Sequence, residues 1–138
     1  MTEVSDVQQN QDWMVSEVTK VKGVRHVIVL TADGLLKARS AGLERNAADR
    51  LAAACAGLQS LCDSVAVEFG TGNRAVDQLM VGYEGGYLFA RSAGEGSHLV
   101  VVTEDVVDPG LVAHQMQVQV MKIGERNYST PARGATGP

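Results

Sequence analysis

Few residues in this 138-residue chain have side chains suited to chemistry. His26, His98 and His114 could act as bases or ligands, with Asp33 or Glu104 as an acidic partner. Acid–base work needs such groups within hydrogen-bond reach of one another. His26 and His98 fall on segments read below as central strands, and His114 on a helix. A site would have to assemble in space, so each is read as a structural or surface histidine. Cys55 and Cys62 sit on one helical segment. At 1.5 Å per residue their Cα atoms are about 10.5 Å apart, too far for an intrachain disulfide. They are read as small buried hydrophobes.

The glycine loops fare no better. "TADGLLK" (31–37) lacks the Gly-Lys-Ser/Thr ending of a phosphate loop and leads into a strand. "GTGNRA" (70–75) follows a helix and enters a strand, the reverse of the required context. "AGEGSH" (93–98) reads as a hairpin turn. There is no Gly-x-Ser-x-Gly elbow and no His-Glu-x-x-His. The expectation is a non-enzyme with no catalytic residue, no cofactor and no metal.

Composition narrows the class further. Hydrophobic residues make up 45% and charged residues 20% of the chain, normal for one globular domain with a core of its own. Aromatics are 4%, so that core must be built from Val, Leu and Ala. The net charge of −4 comes with no basic cluster, which argues against nucleic acid as a partner. No apolar run approaches the ~20 residues of a membrane span. The polar, acidic start "MTEVSDVQQNQ" is unlike a signal peptide, so a cytoplasmic location is expected.

The elements that position these residues can be taken in order. Residues 1–11 and 125–138 read as disordered tails around an ordered domain at 12–124. Asp12 caps a first helix, with Met14, Val18 and Val21 on one face and Gly23 at its end. Trp13 points away from that face and is a candidate partner anchor. "VRHVIVLT" (24–31) is a strand whose unbroken apolar run implies cover on both faces. Asp33-Gly34 predicts a two-residue type I′ hairpin into "LLKARS" (35–40). A helix spans 45–70, with a stripe of Leu51, Ala54, Cys55, Leu58, Leu61, Cys62, Val65 and Phe69 expected to cover the sheet. Strands follow at 75–83, 86–92 and 97–104. Asp108-Pro109 then opens a last helix that Lys122 and Gly124 close. The order α-β-β-α-β-β-β-α, with tight hairpins, predicts an α/β (α+β) three-layer sandwich around a five-stranded antiparallel sheet.

One feature of the long helix is unusual. Residues 51–67 contain a single charge, Asp63. Opposite the leucine stripe lie Ala52, Ala53, Ala56, Ser60, Asp63, Ser64 and Val67, small enough for another backbone to approach. The strand at 75–81 carries only Asp77, whereas "LLKARS" is guarded by Lys37 and Arg39. A two-fold dimer would satisfy both surfaces. The expected interface is therefore Ala52, Ala53, Ala56, Ser60, Asp63, Val67, Val76, Gln78 and Met80. A small-molecule sensor with a pocket between sheet and helix is the alternative reading.

"DWMVSEVTKVKGVRHVIVLTADGLLKARSAGL", "ADRLAAACAGLQSL", "VGYEGGYLFARSAGEGSHLVVVTE" and "DPGLVAHQM" together resemble the roadblock/LC7 family, which includes dynein light chains, and within it the actinobacterial conservon-type members. The resemblance covers about residues 12–124. It implies the same profilin-like sandwich, and a homodimer in which long helices pack and third strands join two sheets. It also implies a non-enzymatic signalling scaffold that regulates a Ras-like small GTPase. Conservon-type members add a sensor-histidine-kinase-like protein as a possible partner and recruitment to the membrane through partners. The resemblance assigns no functional residue to any single position here.

Overall fold

The computed structural model describes residues 12–72, 76–94 and 96–135. The tail expected at 1–11 lies outside them. A 3-10 turn at Asp12–Met14 is followed by helix α1 (Ser16–Thr19), strands β1 (Val24–Thr31) and β2 (Leu36–Arg39), and helix α2 (Arg45–Phe69). Strands β3 (Gln78–Tyr83), β4 (Gly86–Ser92) and β5 (Ser97–Glu104) come next, then helix α3 (Pro109–Ala135). All strand pairs are antiparallel, in the order β2-β1-β5-β4-β3. The apolar runs of β1 and β5 thus sit at the sheet centre, and β2 and β3 form its edges.

Strand alternation divides the core into two layers. Val27, Val29, Phe89, Leu99 and Val101 point to one face. They pack with Met14, Val15 and Val18 of the N-terminal segment and with Val112, Met116 and Ile123 of α3. Ile28, Leu30, Ala90 and Val100 point to the other face and pack under Ala48, Ala52 and Cys55 of α2. The three layers follow from this two-sided burial, as the unbroken apolar strands require.

Local geometry departs from expectation in four places. The first helix is one short turn after a 3-10 segment. Polar contacts pin it to α3: Gln119, fully buried, accepts from Glu17 N–H at 2.7 Å and donates to the Trp13 carbonyl at 2.8 Å. The β1–β2 loop holds three residues and not two. Thr31 N–H donates to the Leu35 carbonyl and Gly34 N–H to the Thr31 carbonyl, both at 2.9 Å. Gly34, at φ 90°, supplies the left-handed residue that closes this longer turn. Helix α3 does not stop at Gly124 but continues to Ala135.

The fourth departure concerns α2. Of its expected stripe only Cys55 is buried against the sheet, with Leu51 packed partly against the same layer. The residues buried there are Ala48, Ala52, Cys55 and Gln59. The reason is packing: Ile28, Leu30 and Val100 already fill that face, so a side of small residues lets the helix settle closely. The hairpin uses the same property, since a Cβ built on Gly34 would lie 3.3 Å from Ala56 Cβ. Ala52 and Ala56 thus find their partners within the chain.

Candidate functional site

The histidines do not converge. His26 and His98 share the α2 face of the sheet, but His98 pairs with Leu30, four residues along β1 from His26. That is about 13 Å. His114 is exposed on α3, beyond the other face. Asp33 lies in the hairpin loop and Glu104 at the far end of β5. The Nδ1 atoms of His26 and His98 are buried and make no hydrogen bond. Burial holds both imidazoles below the ordinary histidine range; Arg25 adds to this at His26, and Asp63 works against it at His98. At that separation the two imidazoles form no joint site.

Burial also pushes the Cys55 thiol up to about 11, which makes it a weak nucleophile. Cys62 is half-buried and likewise free. A cleft between the sheet and α3, walled by Phe89, Arg91 and Met116, has room for a single water. That is far below what a sensor ligand needs.

Part of the exposed apolar surface gathers along one flank of α2. Leu61 is 72% exposed, Val65 60% and Phe69 80%. At 100° per residue these side chains, with half-buried Leu51 and Leu58, form one flank of α2 beside the sheet-facing stripe. The flank borders a row of side chains on the sheet. His26, Val102, Leu88 and Val81 are successive cross-strand neighbours, and α2 covers none of them fully. The row ends at β3, whose residues Gln78–Tyr83 include no charge. Met80 and Tyr83 are about half exposed there. An edge strand without charge, proline or cover is open to pairing.

The residues expected at an interface distribute unevenly. Ala52 is fully buried under its own helix and is removed from the set. Ala56 is half-buried beside the hairpin. Ala53, Ser60 and Val67 are exposed on the outer side of α2. Asp63 and Val76 are tied together: Val76 N–H donates to Asp63 Oδ1 at 2.9 Å, and Gln59 Nε2 donates to the Val76 carbonyl at 3.1 Å. Gln78 and Met80 are exposed on β3, with Gln78 Oε1 accepting from Arg91. Trp13 packs partly against the core and carries the Arg126 guanidinium 4.3 Å from its ring centre, so it is no bare anchor.

The regularity of the stripe points the apolar flank to the core, but helix length points the other way. A 25-residue helix is about 37 Å long, while five strands span only about 24 Å. One end of α2 must overhang, and the overhanging residues are Leu61 to Phe69.

A profile of the Roadblock/LC7 domain matches residues 11–103. A search of curated proteins finds no match. Among solved structures, the fold is similar to a Roadblock/LC7 domain from Streptomyces avermitilis at 31% identity, covering 83% of this chain and 95% of that one, with a TM-score of 0.77. It is similar to another from the same organism at 37% identity, covering 83% and 97%, with a TM-score of 0.65. The fold also resembles Myxococcus xanthus MglB at 15% identity, covering 90% and 96%, with a TM-score of 0.73.

Proposed function

Because the chain belongs to the Roadblock/LC7 family, we propose that it is a non-enzymatic homodimeric adaptor that regulates a Ras-like small GTPase. One observation carries the dimer: the exposed apolar flank of α2 and the uncharged open edge of β3 lie on the same side of the molecule. A second copy covers both at once. Its β3 continues the sheet, and its α2 lies against this α2 over the row from His26 to Val81. The interface then centres on Leu58, Leu61, Val65, Phe69, Met80, Val81 and Tyr83, and leaves the outer side of α2 and the α3 face for other partners.

The GTPase assignment is supported by family membership. Within the conservon-type resemblance, the adaptor works in the cytoplasm beside a sensor-histidine-kinase-like protein and reaches the membrane through its partners. No helix is long and apolar enough to cross a membrane itself. The test is a pull-down of a Ras-like small GTPase from the same organism, loaded with GDP or a GTP analogue. Retention of either form at micromolar concentration supports the reading; retention of neither overturns it.

A further inference from the structure

The open side of β3 can be assigned residue by residue. Ser92 N–H donates to the Asp77 carbonyl at 3.1 Å. The Asp77–Ser92 pair continues the β3–β4 register by one step and is hydrogen-bonded. Antiparallel alternation then turns the N–H and C=O of Leu79, Val81 and Tyr83 toward β4. Those of Gln78, Met80 and Gly82 turn away from it, to the open side. Val76 is the preceding member of that outward series. Both its backbone groups are already taken, by Asp63 and by Gln59, a side chain only 9% exposed. Among the described residues, a strand arriving from outside therefore finds free groups at Gln78, Met80 and Gly82.

We propose that Gln59 and Asp63 set the register in which a second copy adds its β3 to this sheet, with Met80 on the two-fold axis. This rests on the self-association reading above. Two-fold antiparallel strands pair outward residues with outward residues. With Met80 on the axis, Gln78 faces the partner's Gly82, Met80 faces its own counterpart, and Gly82 faces the partner's Gln78. Each such pair exchanges two backbone hydrogen bonds, and three pairs make six. A register centred on Leu79 would set Val76 against the partner's Gly82. The clamp has removed that pair from both ends, which leaves four bonds. A register centred on Val81 needs Glu84, which lies in the β3–β4 turn, and also leaves four. The favoured register places Leu79 against the partner's Val81 on the α2 face, an apolar match. Gln59 and Asp63 are positioning residues: they act on the interface through Val76.

The test is oxidative cross-linking of Met80→Cys in a Cys62→Ser background. Hydrogen-bonded antiparallel partners lie about 5.5 Å apart at Cα, within disulfide range. Met80 is exposed, so the substitution leaves the fold intact, and Cys55 is buried. Met80→Cys is expected to link most of the protein into dimers. Gln78→Cys, whose two copies stand about 13 Å apart in this register, stays unlinked. Asp63→Ala frees the Val76 N–H, so that Leu79→Cys begins to link while Met80→Cys links less completely. Asp63→Asn keeps an acceptor and restores the original pattern. If the unsubstituted chain sediments as a single subunit at every concentration, self-association fails and this inference with it. If dimers form but Gln78→Cys or Leu79→Cys links as well as Met80→Cys while Asp63 is intact, the register is overturned and self-association stands. If Asp63→Ala leaves the linking pattern unchanged, the clamp does not set the register.

Discussion

Replacing Val65 with Asp separates surface that waits for a partner from surface that builds the fold. Val65 is 60% exposed in the single chain, near the middle of the apolar flank of α2. Full burial of a valine side chain contributes about 1.5–3 kcal/mol. The 60% still open therefore holds about 1–2 kcal/mol per copy for a second copy to gain. Symmetry applies the loss twice, so Val65→Asp removes about 2–4 kcal/mol of association energy before the cost of burying two carboxylates. That weakens the dimer at least thirtyfold and up to several hundredfold. The fold of the single subunit should shift by no more than about 0.5 kcal/mol, because the site is on the surface. Sedimentation equilibrium over a dilution series gives the association constant, and urea unfolding of the dilute single subunit gives the stability. An unchanged association constant, or a large loss of single-subunit stability, would refute the placement of this flank.

Other sites test the interior and the pH response. Ala52→Leu forces bulk between α2 and a filled sheet face, and should cost about 1–3 kcal/mol of stability, read as a lower urea midpoint. Gln119→Ala leaves the Glu17 N–H and the Trp13 carbonyl without their buried partner; a loss of about 2–4 kcal/mol is expected in the same assay. Burial holds His26 and His98 below the ordinary histidine value of about 6.5 in the folded chain. The unfolded chain therefore takes up protons first as pH falls through that value, and stability drops between pH 7.5 and 5.5. His98→Gln should reduce that drop; an equally steep decline would show that the histidines do not cause it.

The sheet was legible in the sequence because its determinants are local. The unbroken run Val27–Leu30 demanded cover on both faces, and the glycine turns fixed the antiparallel pairing. Family membership was legible from a pattern spread over many positions. The turn at Asp33-Gly34 was half legible: the hairpin forms, but Thr31 pairs with Leu35 and draws Ala32 into the loop. The rotation of α2 was not. Helical periodicity gives a stripe but not the direction in which it points, and the bulk of Ile28 and Leu30 on the sheet decided that. Ala52 left the interface set for this reason, while Leu61, Val65 and Phe69 entered it. The Gln59–Val76–Asp63 clamp was likewise invisible, because it joins residues far apart in sequence through backbone atoms.

Amide hydrogen exchange at Met80 and Gly82 probes the shared sheet most directly. Their N–H groups point to the open side of β3 and gain a partner only when a second strand arrives. Slow exchange at high protein concentration that becomes fast on dilution is the predicted result. Fast exchange at both residues at every concentration would contradict it.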